Sequence, residues 1–336
     1  SIPKVRPIIS GIDSNTERIS WFVDQVGKDF VKQTESYIED TPDLLRYFDN
    51  INKNETLPPN AIPAALDIKS MSTNIPNDEA IEAYEEKLNE REDQSIPTDF
   101  LIKLLQFILL CNVFEFNKEF WLQLLGTAMG TRVAPTYANL FMSKLEKFLL
   151  DNCPQNLKNK IYCWKRFIDD IFLIWLGTNE ELDSFHNYLN NSHQTIKFDK
   201  PQFDATTNSC NFLDIKITLS EGKIITDLFK KDTSIPSALL PSSSHPDHIS
   251  KNIVFSMAFR LLRICSSPEL FENRLEELKN EVLLPRQYKL SIIEKAFENI
   301  RKIKREDALL KKTKNATDDD RIVVPMNYNP RFPNQG

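Results

Sequence analysis

The stretch that most constrains this chain runs Trp164-Lys165-Arg166-Phe167-Ile168-Asp169-Asp170-Ile171-Phe172-Leu173-Ile174-Trp175. Two adjacent carboxylates sit between two runs of aromatic and branched residues. Such runs favour strands. Short polar side chains favour a tight turn between them, because they bond their own backbone there. The stretch therefore predicts a β-hairpin with two acids at its tip. Taken alone, it also describes an ordinary surface turn. Two carboxylates are equally the hard oxygen ligands that magnesium requires, but that reading needs a third acid brought close by the fold.

A third acid lies upstream. Residues 64–68 read as a short buried strand interrupted by Asp67. A lone acid in an apolar strand is costly to bury unless it is paired or bound to a cation. Between the two lies Gly126-Thr127-Ala128-Met129-Gly130-Thr131-Arg132-Val133-Ala134-Pro135, which holds two of only 7 glycines in 336 residues. Glycine lets backbone approach a ligand closely and adopt positive φ, and Pro135 suits the first turn of a helix. That helix follows, with Val133, Tyr137, Leu140, Phe141, Leu145, Phe148 and Leu149 on one face. The loop is a natural place to present backbone groups to a substrate, or it is structure alone. A strand acid, a glycine loop with its helix, and hairpin acids can meet at one sheet edge. Two-metal phosphoryl transfer uses such an arrangement, with carboxylates holding ions about 4 Å apart.

The remaining pattern is mostly helical. Ile19, Phe22, Val23, Val26, Phe30 and Val31 recur at helical spacing. Helices are expected over 79–88, 100–112 and 179–190, with a hairpin over 114–122. A second hairpin is expected from 211–219 and 223–230 across Ser220-Glu221-Gly222. A Ser/Pro-rich loop at 236–248 precedes three helices over 251–264, 268–283 and 290–310, and the polar, proline-dotted tail from Lys311 predicts poor order.

Composition narrows the function classes. The few glycines form no GxGxxG or GxxxxGK nucleotide loop. The apolar run 100–116 is broken by Lys103 and Gln106 and is short for a bilayer, so no membrane partner is expected. The five cysteines, Cys111, Cys153, Cys163, Cys210 and Cys265, show no CxxC. They read as reduced thiols of an intracellular protein without a zinc site. His245 and His248 lack further ligands at finger-like spacing, so they read as a polar loop. The net charge of −6 is unevenly spread: residues 251–314 hold 15 Lys and Arg against 9 Asp and Glu, leaving −12 elsewhere. That asymmetry predicts a basic surface in the last third; solvated helix faces are the alternative.

Several of these segments together resemble Penelope-like retroelement reverse transcriptases, a family akin to telomerase reverse transcriptase. Leu66-Asp67-Ile68-Lys69-Ser70, with Thr73-Asn74-Ile75-Pro76, resembles the first palm motif. The loop Gly126 to Pro135, with Tyr137-Ala138-Asn139-Leu140, is similar to the second. Arg166-Phe167-Ile168-Asp169-Asp170 resembles the catalytic hairpin, and Asn211-Phe212-Leu213-Asp214 the strand after it. Ser244-His245-Pro246, Lys251-Asn252-Ile253 and residues 260–265 resemble the helix-turn-helix-like segment that follows the palm in animal members. Arg6-Pro7-Ile8 is similar to the fingers motif. The resemblance covers the chain to about residue 333.

The resemblance implies an α+β, right-hand polymerase fold, with a palm of antiparallel sheet packed on helices and a helical thumb. It divides the chain into partial fingers (1–60), palm (61–235) with inserted fingers helices (77–125), a helical thumb (236–314) and a tail (315–336). It implies an RNA-directed DNA polymerase with Asp67, Asp169 and Asp170 as catalytic residues. These acids and the Ile68 backbone carbonyl would hold two Mg2+ ions, with Mn2+ able to substitute. Lys4, Arg6, Ser72, Gly126, Met129 and Gly130 would bind the nucleotide. Arg260, Arg263, Lys302, Lys304 and Arg305 would face the nucleic acid. The implied partners are an RNA template, a DNA primer and dNTPs, in a nuclear setting. Many members carry a GIY-YIG endonuclease, and no such segment is visible in these residues; residue 1 is Ser, as in a fragment. One position departs from the family. The fifth residue after the first catalytic Asp is usually Phe or Tyr, whose ring excludes a ribose 2′-hydroxyl, and here it is Ser72. The alternative reading is a decayed remnant that binds nucleic acid without polymerising.

Overall fold

The computed structural model describes residues 11–231, 233 and 237–311. In chain order the helices are α1 (Glu17–Val31), α2 (Thr41–Asn54), α3 (Met71–Asn74), α4 (Asn77–Asn89), α5 (Thr98–Leu110), α6 (Ala134–Asp151), α7 (Gln155–Lys158), α8 (Asn179–Ser192), α9 (Asp247–Ile264), α10 (Pro268–Glu277), α11 (Leu290–Arg301) and α12 (Arg305–Leu309). The strands are β1 (Ile62–Asp67), β2 (Val113–Phe116), β3 (Glu119–Leu122), β4 (Ile161–Phe167), β5 (Asp170–Trp175), β6 (Ser209–Phe212), β7 (Ile215–Ser220) and β8 (Lys223–Leu228). Two compact units result: Ser1–Asp40 with Pro58–Phe212, and Thr41–Leu57 with Leu213–Gly336.

The first unit is built around an antiparallel sheet in the order β1-β5-β4. Its central strand, β5, is buried from Ile171 to Trp175, because side chains cover both faces. On one face Ile171, Leu173 and Trp175 share a core with Tyr137, Phe141 and Leu145 of α6. Trp175 also stacks on Phe185 of α8 at 5.2 Å. On the other face Phe172 meets Phe212 of β6 at 5.7 Å. α8 starts where the sequence provides a capping box, Thr178 with Glu181. α1 and α4 approach closely at Gly27, where a Cβ would lie 2.1 Å from the Tyr84 Oη. β2 and β3 turn over Asn117 and Lys118, with φ of 55° and 65°, as a type I′ hairpin requires.

In the second unit β7 and β8 form a hairpin closed by Glu221 and Gly222, with φ of 52° and 73°. α2 docks on β8 through Asn52, whose amide donates to the Ile224 carbonyl and whose oxygen accepts from the Ile224 N–H, both at 2.8 Å. α9 to α12 enclose a separate core that includes Val254, Ala258, Leu275, Leu283, Ile293, Phe297 and Ile300.

Several expected elements take a different form. The strand expected over 211–219 breaks at Leu213, where φ is 54°. Asp214 beside it accepts from Thr41 Oγ1 at 2.7 Å and from Arg260 instead of joining a strand. The helix expected over 268–283 becomes π-helical from Leu278 to Leu283. The helix expected over 290–310 stops at Arg301 and restarts at Arg305. On α6, Phe148 is not on the buried face: it is 52% exposed, whereas Glu146 is 3% exposed. α2, inside the span expected as partial fingers, packs with β8 within the second unit. Lys4, Arg6 and residues 315–336 lie outside the described residues.

Candidate active site

The three acids meet at the open end of the β1-β5-β4 sheet. β4 and β5 pair as far as Phe167 opposite Asp170, so the hairpin loop is Ile168 and Asp169. On the other side of β5, Asp67 stands opposite Asp170. Directly opposed residues on antiparallel strands lie about 4.5–5.5 Å apart at Cα and share one face. The Ile68 N–H donates to the Asp169 carbonyl at 3.0 Å, tying the end of β1 to the hairpin tip. All three acids are half-buried. Ile68, whose carbonyl is the fourth expected donor, is fully buried. Its neighbour Asp67 accepts at its own carbonyl from the Asp199 N–H at 2.8 Å, and Asp199 pairs with Lys69 at 3.2 Å.

Among the described residues no three His, Cys, Asp or Glu side chains form a ready metal cage. Magnesium does not need one. It is commonly held by one or two carboxylates, with waters and substrate phosphates completing the shell. The cross-strand pair Asp67 and Asp170, with Asp169 next to it, is a donor set of the right hardness for that ion.

The glycine loop sits against the residue expected under the nucleotide sugar. Gly126 has φ 66°, and a Cβ there would lie 2.0 Å from the Ser72 carbonyl oxygen. The next residue, Thr127, donates its N–H to that same oxygen at 2.9 Å. Ser72 and Met129 are half-buried, and Gly130 is exposed with φ 120°. The Thr127 hydroxyl is buried without a hydrogen-bond partner. α6 is anchored behind the loop, where the Val133 N–H donates to Ser20 Oγ at 2.9 Å and Thr136 Oγ1 donates to Asp24 at 2.6 Å. Beside Gly130 lies a cavity of about 260 Å³ lined by Gly11, Ser14, Glu17 and Arg132. Glu17 there is held below the usual carboxylate range, first by the Asp13 N–H and then by Arg132.

Arg166 occupies a position that its sequence context does not reveal. It is 0% exposed. Its Nε donates to Glu146 at 2.8 Å, and its Nη1 donates to Asn139 Oδ1 at 2.6 Å and to the Ile168 carbonyl at 3.1 Å. Glu146 also accepts from Trp164 Nε1 at 2.8 Å and Ser36 Oγ at 2.6 Å. The one sequence signal was a glutamate within the apolar pattern of α6.

In the second unit four of the five expected nucleic-acid residues have partners of their own. Arg260 pairs with Asp214 at 2.6 Å, and Lys302 pairs with Glu298 at 2.8 Å on the surface. Arg263 donates to the Ala308 carbonyl at 2.8 Å and lies 4.4 Å from the Phe259 ring centroid. Arg305 grips Asp49 with bonds of 2.8 and 2.9 Å. Lys304 is exposed. Arg274, Lys279 and Arg301 are likewise paired with acids. Among the described residues, Lys251, Arg286, Lys289, Lys295 and Lys304 form no ion pair.

Residues 238–298 match the animal helix-turn-helix domain. That span takes in α9, α10, the π-helical turn and most of α11. No curated protein sequence matches the chain. Among solved structures, telomerase from Candida albicans, determined in complex with a fragment of telomeric RNA, superposes with a TM-score of 0.55 at 12% identity, over 85% of this chain and 48% of that one. Apo telomerase from Candida tropicalis gives 0.49 at 13% identity, over 89% and 56%. A Sicinivirus RNA-dependent RNA polymerase gives 0.45 at 12% identity, over 77% and 54%. The chain thus spans about half the length of the telomerase chains it resembles. Its fold is that of the polymerase right hand, with antiparallel sheet and helices. No helix among the described residues is long and apolar enough to cross a membrane.

Proposed function

We propose that this chain is the reverse transcriptase core of a Penelope-like retroelement, an RNA-directed DNA polymerase that works with two divalent ions, Mg2+ by preference. The observation that carries the reading is the strand register that sets Asp67 opposite Asp170, with Asp169 at the adjoining turn. The likeness to the Candida albicans telomerase supports it at the level of fold. Asp67, Asp169 and Asp170 would hold the ions, together with the Ile68 carbonyl. Bound ions would stabilise charge on the attacking hydroxyl and on the departing phosphate. The chain itself presents backbone from the loop at Gly126, Met129 and Gly130 to the nucleotide. It places Ser72 under the sugar, and the second unit holds the RNA template and DNA primer. An element of this kind acts in the nucleus.

The test is primer extension with dNTPs on an RNA template, with Mg2+ and with the metal chelated. Metal-dependent extension is the expected result. Asp169→Asn should abolish extension while leaving template binding intact. Template binding without extension by the unaltered chain would instead favour the decayed remnant, and an active Asp169→Asn variant would overturn the site assignment.

A further inference from the structure

We infer that Arg166 is a positioning residue that holds the hairpin turn carrying Asp169 in its working conformation. The inference rests on the polymerase reading above for its function, but not for its geometry. Ile168, the first residue of the loop, has φ 55°. A β-branched residue rarely adopts that conformation, and it persists only where the surroundings impose it. The turn is therefore not a local preference of its own sequence. Something outside the loop has to hold it.

Arg166 is placed to do so. Its side chain folds back under the loop and donates to the Ile168 carbonyl at 3.1 Å. The same nitrogen donates to Asn139 on α6, and Nε donates to Glu146 on the same helix. The guanidinium thus ties the turn to α6, the helix that follows the glycine loop. Its own main chain is fixed as well: the N–H donates to Ser36 at 2.6 Å, and the carbonyl accepts from Ile38 at 2.9 Å. A buried arginine with a single carboxylate partner gains little net stability from the pair alone. A planar fork that spans a helix and a turn fixes direction as well as distance. Lysine could keep the charge opposite Glu146 but could not reach Asn139 and Ile168 in the same geometry.

The test compares the unaltered chain with Arg166→Lys. Single-turnover extension reads two quantities, the rate constant per active molecule and the burst amplitude. Positioning predicts a rate constant reduced more than about tenfold, with burst amplitude, nucleotide KM and template affinity held within about twofold. Exchange of the Ile68 amide, which reaches Asp169 across the turn, should quicken more than about tenfold while the Ala65 amide keeps its protection. Should Arg166→Lys fail to fold, Asn139→Ala keeps the Arg166–Glu146 pair and takes the same readouts. A fallen amplitude with an unchanged rate constant would mean that Arg166 only holds the fold, and would overturn the inference. So would unchanged Ile68 exchange. If the unaltered chain does not extend primers, the polymerase reading fails, and the exchange result alone then decides whether Arg166 holds the turn.

Discussion

Gly126→Ala is the substitution whose cost follows most directly from the structure. The residue sits at φ 66°, and an added Cβ would lie 2.0 Å from the Ser72 carbonyl oxygen and 2.9 Å from its carbon. An alanine in the left-handed region costs roughly 1–2 kcal/mol. Forcing apart two backbone segments adds about 1–3 kcal/mol of overpacking. The obstacle is a carbonyl engaged with the Thr127 N–H, so no side-chain rotation relieves it. A loss of about 2–5 kcal/mol is expected. Urea unfolding followed by tryptophan fluorescence measures it in the right place, because Trp21, Trp121, Trp164 and Trp175 all belong to the first unit. With a slope of about 1–3 kcal/mol per molar urea, the midpoint should fall by at least about 0.7 M. The same loss is expected in a Ser72→Ala background, since the struck atom is main chain. A midpoint shift below about 0.3 M would show that the loop is loose, and the contact with residue 72 could not then shape a nucleotide site.

Other outcomes follow from single contacts. Ser72→Tyr should restore rejection of ribonucleotides, because a pocket that merely tolerates an added hydroxyl discriminates by about 10²-fold or less; equal and strong rejection by both forms in paired dNTP and rNTP incorporation assays would place the sugar gate elsewhere. Asp227 and Glu277 are both pushed up by burial, but hydrogen bonds outweigh that and hold both carboxyls below their usual values of 3.8 and 4.5: Arg274 and the Leu228 N–H for Asp227, Arg274 and Lys230 for Glu277. Their stabilisation is therefore complete above those values and is lost as the pH falls through the folded ones. Acid unfolding of the second unit, followed by circular dichroism, should become shallower in Asp227→Asn. The Cys265 thiol is pushed up to about 12, first by burial and then by Asp227, so at pH 8 iodoacetamide should label the exposed Cys111 and spare Cys265, as read by mass spectrometry. Replacing Arg286, Lys289 and Lys295 by Gln should flatten the salt dependence of duplex binding by about 0.9 in log–log slope for each phosphate no longer neutralised, whereas Arg305→Gln should leave the slope alone and lower the melting temperature.

What the sequence made legible was local. Aromatic and branched runs around two aspartates marked β4 and β5, and an acid in an apolar strand marked β1, so residue order alone suggested that the three acids could meet at one sheet edge. Positive-φ pairs such as Glu221-Gly222 were readable as a turn for the same reason, because the residues that form the turn also specify it. What stayed hidden was pairing at long range. The 15 basic residues of 251–314 suggested a surface for nucleic acid, yet Arg305 is held by Asp49, 256 residues away, and Arg260 by Asp214. Charge counted along a chain does not say which charges the fold has already matched. Phe148 and Glu146 make the same point on α6: helical spacing picked the aromatic for the core, and the fold buried the carboxylate because Arg166, Trp164 and Ser36 meet it there. Arg166 itself reads as one more cation beside Lys165. Only the fold shows that one of the two reaches solvent while the other lies beneath the turn. The three candidate acids are visible in sequence because metal chemistry would fix their residue type. The bonds of Arg166 to Glu146, Asn139 and the Ile168 carbonyl are visible only once α6 and the hairpin are packed together, since they reach groups that no short motif contains.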